Sequence, residues 1–209
     1  MSKRKAAALL LSTGAMALPA FKAPFDGNAS GVSSSDTERS DRRIPATLLS
    51  ASAEMRQALV EEEGMRRTVY RDIAGNPTVG VGHLVRPGDG LGVGDRITQA
   101  QTRAFLDADL RAAEKDAHDL LGSLPVYQHE FDALVDLIYN VGPGNVSSAK
   151  SPRLNDAIAR GDYEAMAEEL RYSNADGSYA RGLDYRSERR TQIFLNASYE
   201  DPREAVRMT

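Results

Sequence analysis

The sequence predicts an α+β fold that is mainly helical, with one small β-hairpin region and five to six helices. The strand signal is confined to two neighbouring runs, "RRTVYRDI" (66–73) and "PTVGVGHLV" (77–85), which are joined by "AGN". Glycine and asparagine at this junction are residues that a tight turn between antiparallel strands favours. Beyond residue 98 the apolar residues recur at helical spacing, and no longer sequence repeat is present, which excludes a repeat array.

Local signals mark where the helices begin and end. A first helix is expected between Pro45 and Glu63, because Gly64 supplies a C-terminal stop. Thr98 and Gln101 form the T-x-x-Q pattern of a capping box at the start of the next helix. Four further helices are expected, in order, from Pro125 through Ile138 and over 154–160, 162–170 and 183–197.

Composition limits the classes of function. The 209 residues are 41% hydrophobic and 27% charged, which is the balance of a globular protein with a normal core. The chain has no cysteine, so disulfides, zinc–thiolate sites and cysteine nucleophiles are excluded. Residues 51–209 contain 19 basic and 26 acidic side chains, a net charge of −7, so no nucleic-acid partner is expected.

The N-terminus has the composition of an export segment. "MSKRK" is positively charged, and residues 6–21 contain no charge and are rich in Ala. This run is shorter than the roughly 20 residues that an unstrained bilayer-spanning helix needs. Residues 1–25 are therefore predicted to be a signal-anchor or signal segment, and a cleaved signal peptide with its cleavage site after Ala20 is the alternative.

The remaining boundaries follow from composition. Residues 26–44 are rich in Ser, Gly and charge, and they are predicted to form a flexible linker. The folded domain is expected over 45–200, followed by a C-terminal tail at 201–209.

The stretch "EEEGMRRTVYRDIAGNPTVGVGH" (61–83) carries the candidate catalytic groups. If the hairpin folds back over the end of the first helix, Glu63, Asp72 and Thr78 converge on one cleft. Two carboxylates across a cleft are what glycoside hydrolysis requires, one as the acid and one ionised, and a threonine hydroxyl can position water. Gly80 and Gly82 lack side chains, so a ligand or another segment of backbone can lie close to them.

These residues resemble the signature of the phage-type lysozymes, the T4-like muramidases and their relatives among phage endolysins. The shared pattern is Glu63-Gly64, Tyr70-x-Asp72, Gly75, Thr78-Val79-Gly80 and Gly82-His83. The resemblance extends over about residues 52–197, through "FDALVDLIYNVGPG" (131–144) and "RGLDYRSERRTQIF" (181–194).

The resemblance implies a lysozyme-like fold and a catalytic set of Glu63, Asp72 and Thr78. By position, Arg186 is similar to the family arginine that pairs with the catalytic glutamate, and Asp109 to the aspartate that pairs with the histidine at His83. No metal or organic cofactor is implied. By contrast, Glu61 and Glu62 are expected to be surface charges, and His118 and His129 are expected to face solvent.

The implied activity is hydrolysis of the β-1,4 bond between N-acetylmuramic acid and N-acetylglucosamine in peptidoglycan, for lysis of a host cell. A monomer is expected, with the glycan strand as its partner. Some phage endolysins carry a weakly hydrophobic signal-anchor-release segment, and residues 6–21 fit that description. The resemblance therefore implies an exported enzyme that is first held at the inner membrane and is then free in the periplasm. A catalytically silent peptidoglycan-binding module is the alternative, and the sequence leaves open inversion or retention at the sugar.

Overall fold

Six α-helices and three small antiparallel sheets make up the computed structural model, which describes residues 42–72, 74–170, 174–175, 178–179 and 181–203. The helices are α1 (Ala53–Glu63), α2 (Gln99–Leu121), α3 (Gln128–Val141), α4 (Pro152–Arg160), α5 (Tyr163–Glu169) and α6 (Arg181–Asn196). The strands are β1 (Ile44–Pro45), β2 (Arg66–Arg71), β3 (Pro77–Gly80), β4 (His83–Leu84), β5 (Pro125–Val126), β6 (Asn174–Ala175) and β7 (Ser178–Tyr179). The predicted α+β, mainly helical class is confirmed.

α3 is the central helix. Ten of its fourteen residues are buried, which is the pattern of a helix enclosed on all sides. Three of these buried residues are acids, and each has a partner. Arg43 donates two hydrogen bonds to Glu130, Arg190 donates to Asp136, and Asp132 accepts from the Tyr199 hydroxyl. α3 therefore binds both ends of the described chain, since Arg43 lies before β1 and Tyr199 follows α6.

The three-stranded sheet β2-β3-β4 forms a second, smaller core. Its buried residues Val69, Val79, Val85 and Ile97 pack together, with Phe105 of α2 against them. We call residues 64–97 the β lobe. Because α2 also contributes Leu106 and Leu110 to the main helical core, it joins the two parts of the fold.

Several predicted boundaries differ from those in the structure. α1 begins at Ala53 rather than Pro45, because the Ser52 side chain accepts a hydrogen bond from Met55 N and caps the helix. The helix expected from Pro125 begins at Gln128, because Pro125–Val126 pairs with Ile44–Pro45 as a short sheet. The capping box of Thr98 and Gln101 at the start of α2 is confirmed.

The predicted export segment, residues 1–25, lies outside the described residues, as does the linker up to residue 41. Ile44, which the sequence places in the linker, pairs with Val126. Arg203, which the sequence places in the tail, lies 3.5 Å from Glu62. In the part of the chain that the structure describes, no helix combines the length and apolar character needed to cross a membrane.

Candidate active site

Glu63 is the last residue of α1. Gly64 follows with a φ of 66°, a conformation that glycine adopts at no steric cost, and its N–H donates to Val60 O at 3.0 Å. This turn ends the helix and directs the chain into β2. The Glu63 side chain is only 12% exposed, so the helix delivers a mostly buried carboxyl group to the junction with the β lobe.

The two oxygens of the Glu63 carboxyl group have different surroundings. Arg186 Nη2 of α6 lies 2.7 Å from Oε1. On the other side lies Gly82, where an added Cβ would sit 3.7 Å from Oε2. The backbone at Gly82 is fixed in part by Tyr139, whose hydroxyl donates to Val81 O at 2.5 Å. Oε1 is therefore held by a cation, and Oε2 faces a backbone that presents no side chain.

Burial raises the pKa of Glu63, and the nearby carboxylates Glu62 and Asp136 raise it further. The positive charge of Arg186 acts in the opposite direction but does not cancel the rise. A carboxyl group with a raised pKa keeps its proton at a higher pH than an exposed glutamate does. These are the properties of a general acid.

Behind Glu63, Arg186 belongs to a buried network of charges. It also donates a hydrogen bond from Nη1 to Asn140, and its Nε lies 3.8 Å from Glu62 without a hydrogen-bond partner among the described residues. A cavity of about 10 Å³, the size of a single water, lies beside it. Its polar lining is made by Glu62, Asp136, Arg186, Arg189 and Arg190.

Asp72 lies at the tip of the hairpin between β2 and β3. Its carboxylate accepts from the backbone N of Asn76 at 2.8 Å and from Asn76 Nδ2 at 3.2 Å. The backbone N of Asp72 donates to Asn76 O at 2.9 Å. Asn76 thus closes the hairpin and orients the Asp72 carboxylate, a partner that the sequence reasoning missed. The signal was available, because aspartate commonly bonds the backbone of its own turn.

Thr78 pairs with Tyr70 across the hairpin. Directly opposed residues point to the same face of a sheet, and Asp72, two positions after Tyr70, points there too. The opposite face carries Val69 and Val79, which pack into the β-lobe core. Thr78 is buried, and its hydroxyl donates to Asn76 O at 3.2 Å, which leaves its oxygen able to accept from a water. The structure thus brings Asp72 and Thr78 to one face of the hairpin.

His83 lies away from the carboxyl groups and joins β4 to α2. Its Nδ1 is 2.7 Å from Asp109, its Nε2 is 3.3 Å from Asp89, and its ring stacks on Phe105 at 4.1 Å. Burial alone would lower the pKa of His83, but the two aspartates outweigh it and raise that pKa. Asp89 was not anticipated from the sequence. The pairing of His83 with Asp109 is present, and these contacts indicate a structural role.

Three other expectations about charged and polar side chains were wrong. The Glu62 side chain is only 8% exposed and lies within 4 Å of Arg186, Arg189 and Arg203, so it is no surface charge. His118 and His129 do not face solvent freely. Each is partly buried and bonded to a backbone carbonyl, that of Leu49 or Ile193. Across the described ranges, no group of three or more His, Asp and Glu side chains has the arrangement of a metal site.

Comparison with known proteins agrees with this geometry. The family model for phage lysozyme matches residues 60–190. The endolysin of Salmonella phage P22 is 40% identical over 85 residues, which are 40% of this chain and 58% of that protein. The SAR-endolysin of Escherichia phage Mu is 31% identical over 150 residues, 71% of this chain and 83% of that one. Among solved structures, the endolysin from Escherichia coli O157:H7 phage FAHEc1 superposes with a TM-score of 0.61 at 27% identity, covering 73% of this chain and 97% of that chain.

The family model covers more than half of the chain, and it includes all six candidate site residues. The chain belongs to the phage lysozyme family.

Proposed function

We propose that this chain is an endolysin that hydrolyses the β-1,4 bond between N-acetylmuramic acid and N-acetylglucosamine in peptidoglycan, and so lyses a host cell. Membership of the family makes it a lysozyme, a glycoside hydrolase acting on peptidoglycan. The observation that carries the assignment of roles is the Glu63 carboxyl group, which is mostly buried, has a raised pKa and is held on one oxygen by Arg186.

In this proposal Glu63 is the general acid. Because Arg186 engages Oε1, the proton resides on Oε2, which faces the side-chain-free backbone at Gly82. The glycosidic oxygen approaches Oε2 from that side, takes the proton and leaves as a hydroxyl. Arg186 and Asn140 are positioning residues, since they fix the carboxyl group and touch no reacting atom.

Asp72 and Thr78 act on the other side of the bond. Asp72 is ionised and stabilises the positive charge that develops on the sugar, or it activates water. The Thr78 oxygen accepts from the attacking water and orients it. Asn76 holds the Asp72 carboxylate in place through two hydrogen bonds. His83 and Asp109 support the β lobe and take no part in the chemistry.

The products of digestion test this reaction. Sacculi digested with the full-length chain and then reduced with borohydride should yield muropeptides that end in reduced N-acetylmuramic acid. Ends in reduced N-acetylglucosamine would mean that the other glycosidic bond is cut, and anhydro-muramic ends would mean that no water is added. Sedimentation with the wall without any product would favour the binding-module alternative.

We further propose that residues 6–21 are a signal-anchor segment that tethers the chain to the inner membrane before release into the periplasm, and that the enzyme acts as a monomer. The uncharged, alanine-rich composition supports the anchor, as do relatives named SAR-endolysins, including that of Enterobacteria phage P21. Immunoblotting of fractionated cells should detect a full-length species first in the membrane and later in the periplasm. A periplasmic product shortened at Ala20 or Ala23 would contradict the anchor.

A further inference from the structure

Arg66 places an exposed positive charge on the hairpin that carries Asp72 and Thr78. It is the first residue of β2, and its guanidinium carbon lies 4.4 Å from the centre of the Tyr70 ring. Burial raises the pKa of Tyr70 and the charges of Glu63 and Asp72 raise it further, while the charge of Arg66 and its hydrogen bond to Tyr70 oppose the rise. Tyr70 lies opposite Thr78 in the hairpin, so Arg66, which covers the Tyr70 ring, lies on the face of the hairpin that carries Thr78.

Arg66 has no carboxylate partner of its own in the described part of the chain. Eight arginines outside the β lobe form ion pairs with carboxylates of the described residues: Arg43, Arg56, Arg153, Arg160, Arg186, Arg189, Arg190 and Arg203. The β lobe contains five arginines and three aspartates, a net charge of +2. The rest of residues 51–209 contains 14 basic and 23 acidic side chains, a net charge of −9. The β lobe is thus net positive, whereas the rest of the domain is net negative.

The stacking of Arg66 on Tyr70 has two consequences for a ligand. The covered face of the Tyr70 ring is closed to a sugar ring, which would otherwise stack on it. The guanidinium keeps N–H donors on its edge, in the planar fork that fits a carboxylate with two parallel hydrogen bonds. Tyr70 also restricts the motion of Arg66, so less conformational entropy is lost when an anion binds.

We propose that Arg66, held on the Tyr70 ring, binds a carboxylate of the peptide stem carried by the muramic acid residue. The inference rests on the proposed function, because a peptide stem beside the scissile bond is a feature of peptidoglycan. The site makes the enzyme selective for glycan that carries charged stems. Arg66 is a specificity-determining residue that takes no part in bond cleavage.

A four-way comparison of enzyme and substrate tests the site. The full-length wild type and Arg66→Gln are assayed on purified sacculi that lack phosphate polymers. Both are also assayed on the same sacculi after carbodiimide coupling of their carboxyl groups to methylamine, which removes the charge and keeps the stem. Arg67→Gln is the matched control, because Arg67 is the neighbouring exposed arginine of β2 and has no cation–π contact among the described residues. Thermal unfolding of each variant checks folding.

We expect Arg66→Gln to lower kcat/KM on native sacculi by about tenfold, mainly through KM, since one charge-assisted contact is lost. Amidation of the sacculi should lower kcat/KM of the wild type by a similar factor. It should lower kcat/KM of Arg66→Gln little further, because the substitution and the amidation remove the same contact. Equal losses for Arg66→Gln on both substrates, or an equal loss for Arg67→Gln, would overturn the proposal. A wild type inactive on both substrates would instead overturn the proposed function.

Discussion

Arg186 Nη2 lies 2.7 Å from Oε1 of Glu63. A residue of the last helix, α6, therefore holds the carboxyl group of the residue at the end of the first helix, α1. The two residues are 123 positions apart. Asn140 of the central helix accepts from the same guanidinium, which ties α1, α3 and α6 together at one point. The geometry of the proposed acid therefore depends on the packing of the whole helical core.

This contact predicts a shift in the pH profile of Arg186→Gln. Burial raises the pKa of Glu63 and the charge of Arg186 opposes the rise, so removing that charge raises the pKa further. Activity requires protonated Glu63 and is lost as pH rises through this pKa. The alkaline limb of kcat/KM should thus move to higher pH in Arg186→Gln, while the maximum rate falls on the order of 10- to 100-fold through loss of positioning.

The control for this experiment is Arg153→Gln, since Arg153 is 85% exposed and pairs with Glu169, away from the site. Its profile should match that of the wild type. An alkaline limb that stays in place or moves to lower pH in Arg186→Gln would show that Arg186 does not act on Glu63 in this way.

Gly82 and Gly90 form a matched pair for testing the role of Oε2. Both have a positive φ, 78° and 65°, so alanine strains the backbone at either by about 1–2 kcal/mol. An added Cβ at Gly90 meets nothing within 4 Å, whereas one at Gly82 lies 3.7 Å from Glu63 Oε2. Gly82→Ala should lower activity by about tenfold or more, because the methyl group occupies the path by which the glycosidic oxygen approaches. Gly90→Ala should retain wild-type activity.

Urea unfolding and initial rates on sacculi would measure the two effects separately. The free energies of unfolding of the two variants should fall by similar amounts. Equal activity of the two variants at saturating substrate would be inconsistent with Oε2 as the proton-donating atom.

The link between His83 and Asp109 predicts a pH-dependent contribution to stability. The pKa of His83 is raised in the folded state, so its stabilising contribution is fully present below the unfolded value of about 6.5 and is lost as pH rises through the folded value. Asp109→Asn should lower the free energy of unfolding by about 1–3 kcal/mol at acidic pH and by less at alkaline pH.

Urea unfolding at pH 5.5 and pH 9 measures this difference. Asp107→Asn serves as the control on the same helix, because the ion pair of Asp107 with Arg56 is solvent-exposed and contributes little. A loss for Asp109→Asn that is the same at both pH values would argue against a charged His83 in the folded protein.

The sequence predicted the features that depend on nearby residues. The capping box at Thr98 and the helix stop at Gly64 were both identified from patterns a few residues long. The resemblance of the signature around Glu63, Asp72 and Thr78 likewise indicated the family that the family model shows. Such signals are local, so a single sequence is enough to detect them.

Features that depend on distant partners were missed. In the sequence, Glu62 is one of three consecutive glutamates and has no feature that marks it as buried. In the structure it lies close to Arg189 and Arg203, which are more than 120 residues away along the chain. Pro125–Val126 has no strand signal of its own and is extended because Ile44–Pro45 pairs with it. The second β run splits into β3 and β4 because Gly80 and Gly82 both adopt a positive φ and turn the chain.

The most direct test of the central claim is release of reducing sugar from purified peptidoglycan by the full-length chain and by Glu63→Gln, matched for folding by circular dichroism. Loss of a general acid that acts together with other groups should lower the rate by at least about a thousandfold. Glu63→Gln keeps the shape of the side chain and removes the transferable proton. A variant that retains a tenth or more of the wild-type rate, as a rough threshold, would contradict the assignment of Glu63 as the acid.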